Sequence, residues 1–477
     1  MSESSPRPIP LRRIGLAAAC LSLLLTGSAA VPAAEHSQQR PPAVAVRATS
    51  SPVPPLKFRQ RVLANGLRVL TSEDRRTPTA AIYVWYRVGS KDDPQGRSGF
   101  AHLFEHMMFK STKNMKSEML DRLTEDVGGE NNAFTSDDVT VYHETVPSNY
   151  LETLLWAEAD RMVNLNVDQA NFASERDVVK EEYRQSVLAP PYGRLSWLTV
   201  NRSYTRHPYK RPTIGSIEEL NAATIANVRS FYQTFYRPDN ATLVVVGDFE
   251  PKQLDAWIDR YFGRIPKRSG PIPRVAVREP TRTAERRYNE TAPNVPLPAV
   301  VMTYLTPGIA SADADAIQVL DAILSDGESS RLYRSLVYTQ QIAAEAYSYA
   351  DLRTDNGLLI VGVVAAGGKD LGAAEKAALA EIEKLRAQPV SAAELAKAKN
   401  RLITGALRER ETADGKASAL GAAAVLLGDP NRVNTDIARL QAVTAADVRR
   451  VARKYLTQKN RVVIRYAAAP AKKEPAR

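Results

Sequence analysis

The sequence predicts an α+β fold made of two duplicated α/β sandwich domains of about 200 residues each. Internal similarity is the first reason. Thr224 to Val246 reads TIANVRSFYQTFYRPDNATLVVV and Thr444 to Tyr466 reads TAADVRRVARKYLTQKNRVVIRY. Thr, Ala, Val, Arg and Asn coincide at offsets 0, 2, 4, 5 and 16 without a gap, and Phe235 aligns with Tyr455. Each segment is a helix leading through a short turn into an apolar strand, and the two lie 220 residues apart. The second reason is the mixed order of hairpins and long helical stretches, which favours α+β sandwiches over a doubly wound parallel sheet. Third, no Gly-rich phosphate loop follows a strand, which leaves nucleotide chemistry without support.

The elements follow in chain order. Arg7, Arg12 and Arg13 precede an uncharged apolar stretch from Ile14 to Leu25, and a run of small residues extends from Gly27 to Ala34. This stretch is short for a membrane span, so residues 1–34 read as a secretory signal cleaved after Ala30 or Ala34, the alternative being an uncleaved anchor. Cleavage leaves no stable membrane span and places the protein in the periplasm or outside the cell. It also removes Cys20, the only cysteine of the 477 residues, and a Cys-free chain suits an oxidising compartment. Residues 35–57 form a Pro-rich extended leader. In the first domain, 58–263, Asn65-Gly66 marks a hairpin between Arg61–Ala64 and Leu67–Leu70, and Ala80–Val88 is the next strand. Residues 264–286, rich in Pro and charge, read as a linker. In the second domain, 287–466, Ala299–Leu305 takes the corresponding strand position. Residues 467–477 read as a disordered tail. The net charge of +11 comes without a nucleic-acid module or a clustered basic helix, so nucleic acid is not an expected partner.

Two of only five histidines fall in His102-Leu103-Phe104-Glu105-His106. On a helix His102 and His106 stand one turn apart on one face, where both imidazoles can reach one Zn²⁺. Glu105 sits beside the metal, free to take a proton from a water that the ion acidifies. A catalytic zinc usually has a third protein ligand. Residues 174–186 form a helix with Glu175, Glu181 and Glu182. Seven residues turn a helix by about 700°, so Glu182 lies within roughly 20° of the face of Glu175, whereas Glu181 points about 120° away. If Glu175 faces inward, so does Glu182. Taken alone, the spacing leaves all three open to being surface carboxylates.

HLFEH, in its context SGFAHLFEHMMFKST, resembles the inverted zinc motif of the pitrilysin/insulinase metallopeptidases, and the resemblance covers roughly residues 58–466. It implies one Zn²⁺ per chain. The implied ligands are His102, His106 and Glu182, the last 76 residues beyond His106. Glu105 is the implied general base. Glu175, in an ERxVV-like segment, is implied to support the ligands from behind. Asn132, Ala133, Phe134 and Thr135 match an exposed edge strand that pairs with the backbone of a peptide or unfolded polypeptide substrate. Arg331 and Tyr338 match an Arg and a Tyr seven residues apart that assist the scissile carbonyl from the partner half. The second half has no His after His207 and cannot repeat the zinc site. Two features depart from the family pattern: Ser111 stands where many relatives have Gly, and Ile342 to Tyr347 replaces a Gly-Leu-Ala-Tyr segment. Long relatives close four such domains as a clamshell. This chain would be one half, completed by a homodimer or by a heterodimer with a zinc-less relative. The function implied is an exported zinc endopeptidase. The alternative is a non-catalytic subunit of the same fold in a hetero-oligomeric assembly.

Overall fold

Six strands form the first sheet: β1 (Arg59–Val62), β2 (Arg68–Glu73), β3 (Thr79–Tyr86), β4 (Glu130–Thr135), β5 (Thr140–Pro147) and β6 (Ala241–Gly247), in the order β1-β2-β6-β3-β5-β4. The second sheet holds β7 (Arg286–Ala292), β8 (Ala299–Leu305), β9 (Ala343–Asp351), β10 (Leu358–Ala365) and β11 (Arg461–Ala468), in the order β7-β11-β8-β10-β9. The computed structural model describes residues 54–470. The expected signal and most of the expected leader and tail lie outside these residues. No helix among the described residues is long and apolar enough to cross a membrane.

The repeat seen in the sequence is a repeat of structure. β6 runs parallel to β2 and antiparallel to β3, as β11 runs parallel to β7 and antiparallel to β8. The helices before them, Ile225–Phe235 and Ala445–Tyr455, are each closed by a capping box, at Thr224 with Asn227 and at Thr444 with Asp447. The shared Asn does the same work twice. Asn240 Nδ2 donates to the Phe235 carbonyl at 2.9 Å, and Asn460 Nδ2 donates to the Tyr455 carbonyl at 2.7 Å. Each therefore ties the end of its helix to the start of the strand.

The Asn65-Gly66 turn joins β1 and β2 as the sequence predicts. β7, by contrast, begins inside the expected linker. Its sequence RRYNETA alternates half-buried and exposed positions on a sheet edge, so it lacks the apolar run that marks a buried strand. β11 runs to Ala468, two residues into the expected tail. The linker is strapped down. Glu279 accepts hydrogen bonds from the backbone N–H of Thr205, Arg206 and His207, and Arg282 donates to the carbonyls of Ser203, Thr303 and Asn460.

Each sheet buries one face under helices of its own half. The opposite face is covered by a helix from the other half. Ala417, Leu420, Ala423 and Ala424 of helix Ala413–Val425 pack on Leu70, Tyr83, Trp85 and Val244 of the first sheet. Gly421 in that helix lies against the Trp85 indole, where a Cβ would come within 2.1 Å of Nε1. In return, Leu195 of helix Gly193–Ser203, with Tyr204 and Tyr209, packs on Val301, Ile360 and Ile464 of the second sheet. Burying one such aliphatic side chain contributes about 1.5–3 kcal/mol. The exchange therefore binds both halves into one compact unit among the described residues.

Candidate metal centre

The helix Phe100–Met107 buries Phe100, Ala101, Leu103, Phe104 and Met107. The Phe104 ring stacks on Tyr232 at 5.7 Å, and its carbonyl accepts a hydrogen bond from Tyr142 Oη at 3.3 Å. Fixing this face leaves His102, Glu105 and His106 half-buried on the other. Helix Gln169–Tyr183 buries Phe172, Glu175 and Val179, a spacing of three and four residues that defines its inner face. Glu182 lies one turn further along that face.

The two helices bring three donors together. His102 Nε2 is 3.5 Å and His106 Nε2 is 3.4 Å from Glu182 Oε2. Ligand atoms of His102, His106 and Glu182 all lie within 4.8 Å of one another, and no other such cluster occurs among the described residues. The imidazoles are nearly perpendicular, with ring centroids 4.9 Å apart. Glu175, 6% exposed, approaches His106 Nδ1 at 3.8 Å from behind and pairs with Lys110 Nζ at 2.8 Å. Glu181 points away, half exposed, and pairs with Arg184. Two imidazoles and one carboxylate suit Zn²⁺. Glu105 Oε2, buried and without a hydrogen-bond partner, leaves one carboxylate oxygen uncommitted beside them.

Lys110 was missed from the sequence: it lies three residues past the end of the helix at Met107, in the turn that follows, where no helical spacing places it beside Glu175. Also unforeseen is the service of Glu394. It grips Arg331 through both carboxylate oxygens, at 2.8 and 3.2 Å, while accepting from Ser391 at the start of helix Ala392–Glu409. Tyr338 is 75% exposed. Neither Arg331 nor Tyr338 makes a hydrogen bond or ion pair with the three-donor cluster among the described residues. β4 is the free edge of the first sheet, with Asn132, Ala133, Phe134 and Thr135 opposite His143, Tyr142, Val141 and Thr140 of β5. Asn132 Oδ1 accepts from the Ala133 N–H at 2.8 Å.

Charge at the cluster is coupled. Burial pushes His102 below the ordinary histidine value. Burial pulls His106 the same way, but its hydrogen bond to Glu182 and the nearby carboxylates outweigh it and raise its pKa. Burial alone would raise Glu182, and the two histidines hold it low instead. A metal must displace a proton from His106 when that ring is charged, whereas burial favours the neutral form of His102. Apparent zinc affinity is therefore expected to be flat at alkaline pH. It should begin to fall above the ordinary histidine value of 6.5, then drop by about tenfold per pH unit. Competition with a chelator across pH checks this, and an affinity that stays level down to pH 6.5 would contradict it.

Duplicated sandwiches with a three-donor centre in the first copy, and no other among the described residues, define the class: a two-domain α+β fold with one candidate metal centre. The chain belongs to the insulinase family, peptidase family M16. Residues 68–215 match the model described as Insulinase (Peptidase family M16), and residues 222–402 match the one described as Peptidase M16 inactive domain. The zinc protease PqqE of Helicobacter pylori is 31% identical over 347 residues, covering 72% of this chain and 78% of the relative. The crystal structure of a protease from Helicobacter pylori has a TM-score of 0.83 at 28% identity, covering 86% of this chain and 99% of that one. The periplasmic protease PqqL of Escherichia coli shares the fold, with a TM-score of 0.71 at 21% identity. That match covers 90% of this chain and 52% of the longer one.

Proposed function

We propose that this chain is an exported zinc endopeptidase that cleaves peptides or unfolded segments. The observation that carries the reading is the convergence of His102, His106 and Glu182 beside Glu105, in a family whose relatives are named zinc proteases. His102, His106 and Glu182 would hold one Zn²⁺, which when bound acidifies a water and polarises a peptide carbonyl. With the metal held there, Glu105 would take a proton from the attacking water and later deliver it to the leaving amine. Glu175 and Lys110 keep the His106 imidazole facing the cluster. The free edge of β4 offers unpaired N–H and C=O groups to an extended substrate, which reads backbone more than side chains and tolerates varied sequences. The Asn132 amide, now on the Ala133 N–H, must yield that donor to the substrate.

Arg331 and Tyr338 are assigned to the scissile carbonyl, approached across a chamber that a second chain closes. The match of this chain to about half of a longer protease supports such pairing, with a second copy as the partner. Periplasmic or secreted localisation fits the charged and apolar pattern of residues 1–34. The retained donor set favours this reading over a non-catalytic subunit. The test is cleavage of an unfolded-peptide pool by the purified protein. Activity should vanish when a chelator strips the metal and return with about one equivalent of Zn²⁺ per chain. Zinc bound at that level with no cleavage by the paired chains would overturn the reading.

A further inference from the structure

The helix carrying His102 starts without a cap of its own. Gly99 stands at the N-cap in a left-handed conformation, with no side chain to accept the free N–H groups. That role falls to Asp93, from the preceding loop and 5% exposed. Asp93 Oδ2 accepts from the Gly99 N–H at 2.7 Å, and Oδ1 accepts from the Ala101 N–H at 2.8 Å. The next donor upstream, the Ser98 N–H, goes to Glu219 Oε2 at 2.5 Å. Arg211 donates to the backbone carbonyls of Lys91, Asp93 and Pro94 and fastens the loop from the other side. The loop sits tight against its support. A Cβ on Gly99 would lie 2.9 Å from the Ile214 carbonyl, and one on Gly215 would lie 2.7 Å from Gly99 Cα.

The two histidines differ in what holds them. His106 has Glu175 near its Nδ1. His102 Nδ1 is buried and has no hydrogen-bond partner among the described residues. A metal-binding imidazole usually owes its orientation to a hydrogen bond at the nitrogen that does not bind the metal. His102 lacks one, so its place must be set through the backbone, and it is only the third residue of an eight-residue helix. Glu182 comes from a different helix. Any slip of the first turn changes the distance between His102 and Glu182 directly.

We propose that Asp93 is a positioning residue for the metal centre: its double cap fixes the first turn and thereby sets His102 against Glu182, doing for His102 what Glu175 does for His106. The inference rests on the zinc reading of the cluster. The test is zinc affinity, by competition with a chelator, for wild type, Asp93→Asn and Thr444→Ala, with thermal stability measured on each. Thr444→Ala removes a helix cap of the same kind in the second half, remote from the cluster, and shows what loss of a cap does to stability alone. Asp93→Asn keeps the shape but replaces one acceptor with a donor facing an N–H. Its zinc affinity is expected to fall by about tenfold, the lower end of the cost of disturbing groups behind the ligands. Thr444→Ala should melt earlier with its zinc affinity unchanged. A loss of less than about threefold in Asp93→Asn overturns the proposal, and a larger loss supports it. If Asp93→Asn does not fold, Glu219→Gln replaces it under the same criterion, since it loosens the same loop at Ser98. Failure of wild type to bind zinc would instead sink the zinc reading itself.

Discussion

Replacing Glu105 with Gln is expected to lower kcat/KM for peptide cleavage by about a thousandfold while bound zinc stays at the wild-type level. General acid–base catalysis contributes about 10²–10⁴-fold, and in the proposed reaction one carboxylate serves both proton transfers. Gln matches Glu in size and neither imidazole depends on Glu105 for a hydrogen bond, so the helix and the donor cluster persist. What is lost is an oxygen able to take a proton. Glu105 Oε2 is buried with no hydrogen-bond partner among the described residues, so its lone pairs are committed to no group there. The checks are steady-state cleavage of a quenched peptide and zinc quantified in the same sample. Cleavage at the wild-type rate, once contaminating proteases are excluded, would refute Glu105 as the base. Loss of zinc along with activity would mean that Glu105 supports the metal rather than the proton.

What could be read in the sequence is what is local. The spacing of His102, Glu105 and His106 is written within two helical turns, and the helical face shared by Glu175 and Glu182 follows from the helix period. The repeat was legible because its marks are also local: a Thr cap, an Asn that closes the turn and an apolar strand. Their hydrogen bonds show why those positions coincide. β7 escaped because its pattern is that of an exposed edge, and its partner β11 lies some 170 residues away in sequence. The exchanged helices escaped for a related reason. Ala413–Val425 is rich in Ala, and no periodicity says which sheet an Ala face will meet. The cap of Asp93 crosses a loop and was equally silent, although a helix beginning at Phe100 with Gly99 rather than Ser, Thr, Asp or Asn immediately before it poses the question of where its N–H groups go. The chain distance from His106 to Glu182 likewise has no local meaning. Resemblance pointed to Glu182, and the two packed helices give its oxygen a physical reason to be there.

Neutralising the three glutamates of helix Gln169–Tyr183 one at a time should separate them by orders of magnitude. Glu182→Gln is expected to weaken zinc binding by more than about a hundredfold, beyond the 10–100-fold typical of groups that only support a ligand. The neutral amide is a poor ligand, and both histidines lose the carboxylate that now lies 3.4–3.5 Å from their Nε2 atoms. Glu175→Gln should cost about tenfold. It leaves the three donors in place but loosens His106 and strands the Lys110 ammonium. Glu181→Gln should change nothing measurable, because its exposed pair with Arg184 sits on the opposite side and such surface pairs contribute about 0–1 kcal/mol. Chelator competition on the three variants reads the order directly. Glu182 carries a second signature. In the metal-free protein its hydrogen bond and charge lead the groups that offset burial and raise His106, so Glu182→Gln should lower the His106 titration, a change visible by NMR. A variant that loses zinc yet leaves that titration unmoved would place the Glu182 carboxylate elsewhere than beside His106. Equal losses at Glu181 and Glu182 would mean that the helix as a whole, rather than one oxygen on its inner face, supports the metal.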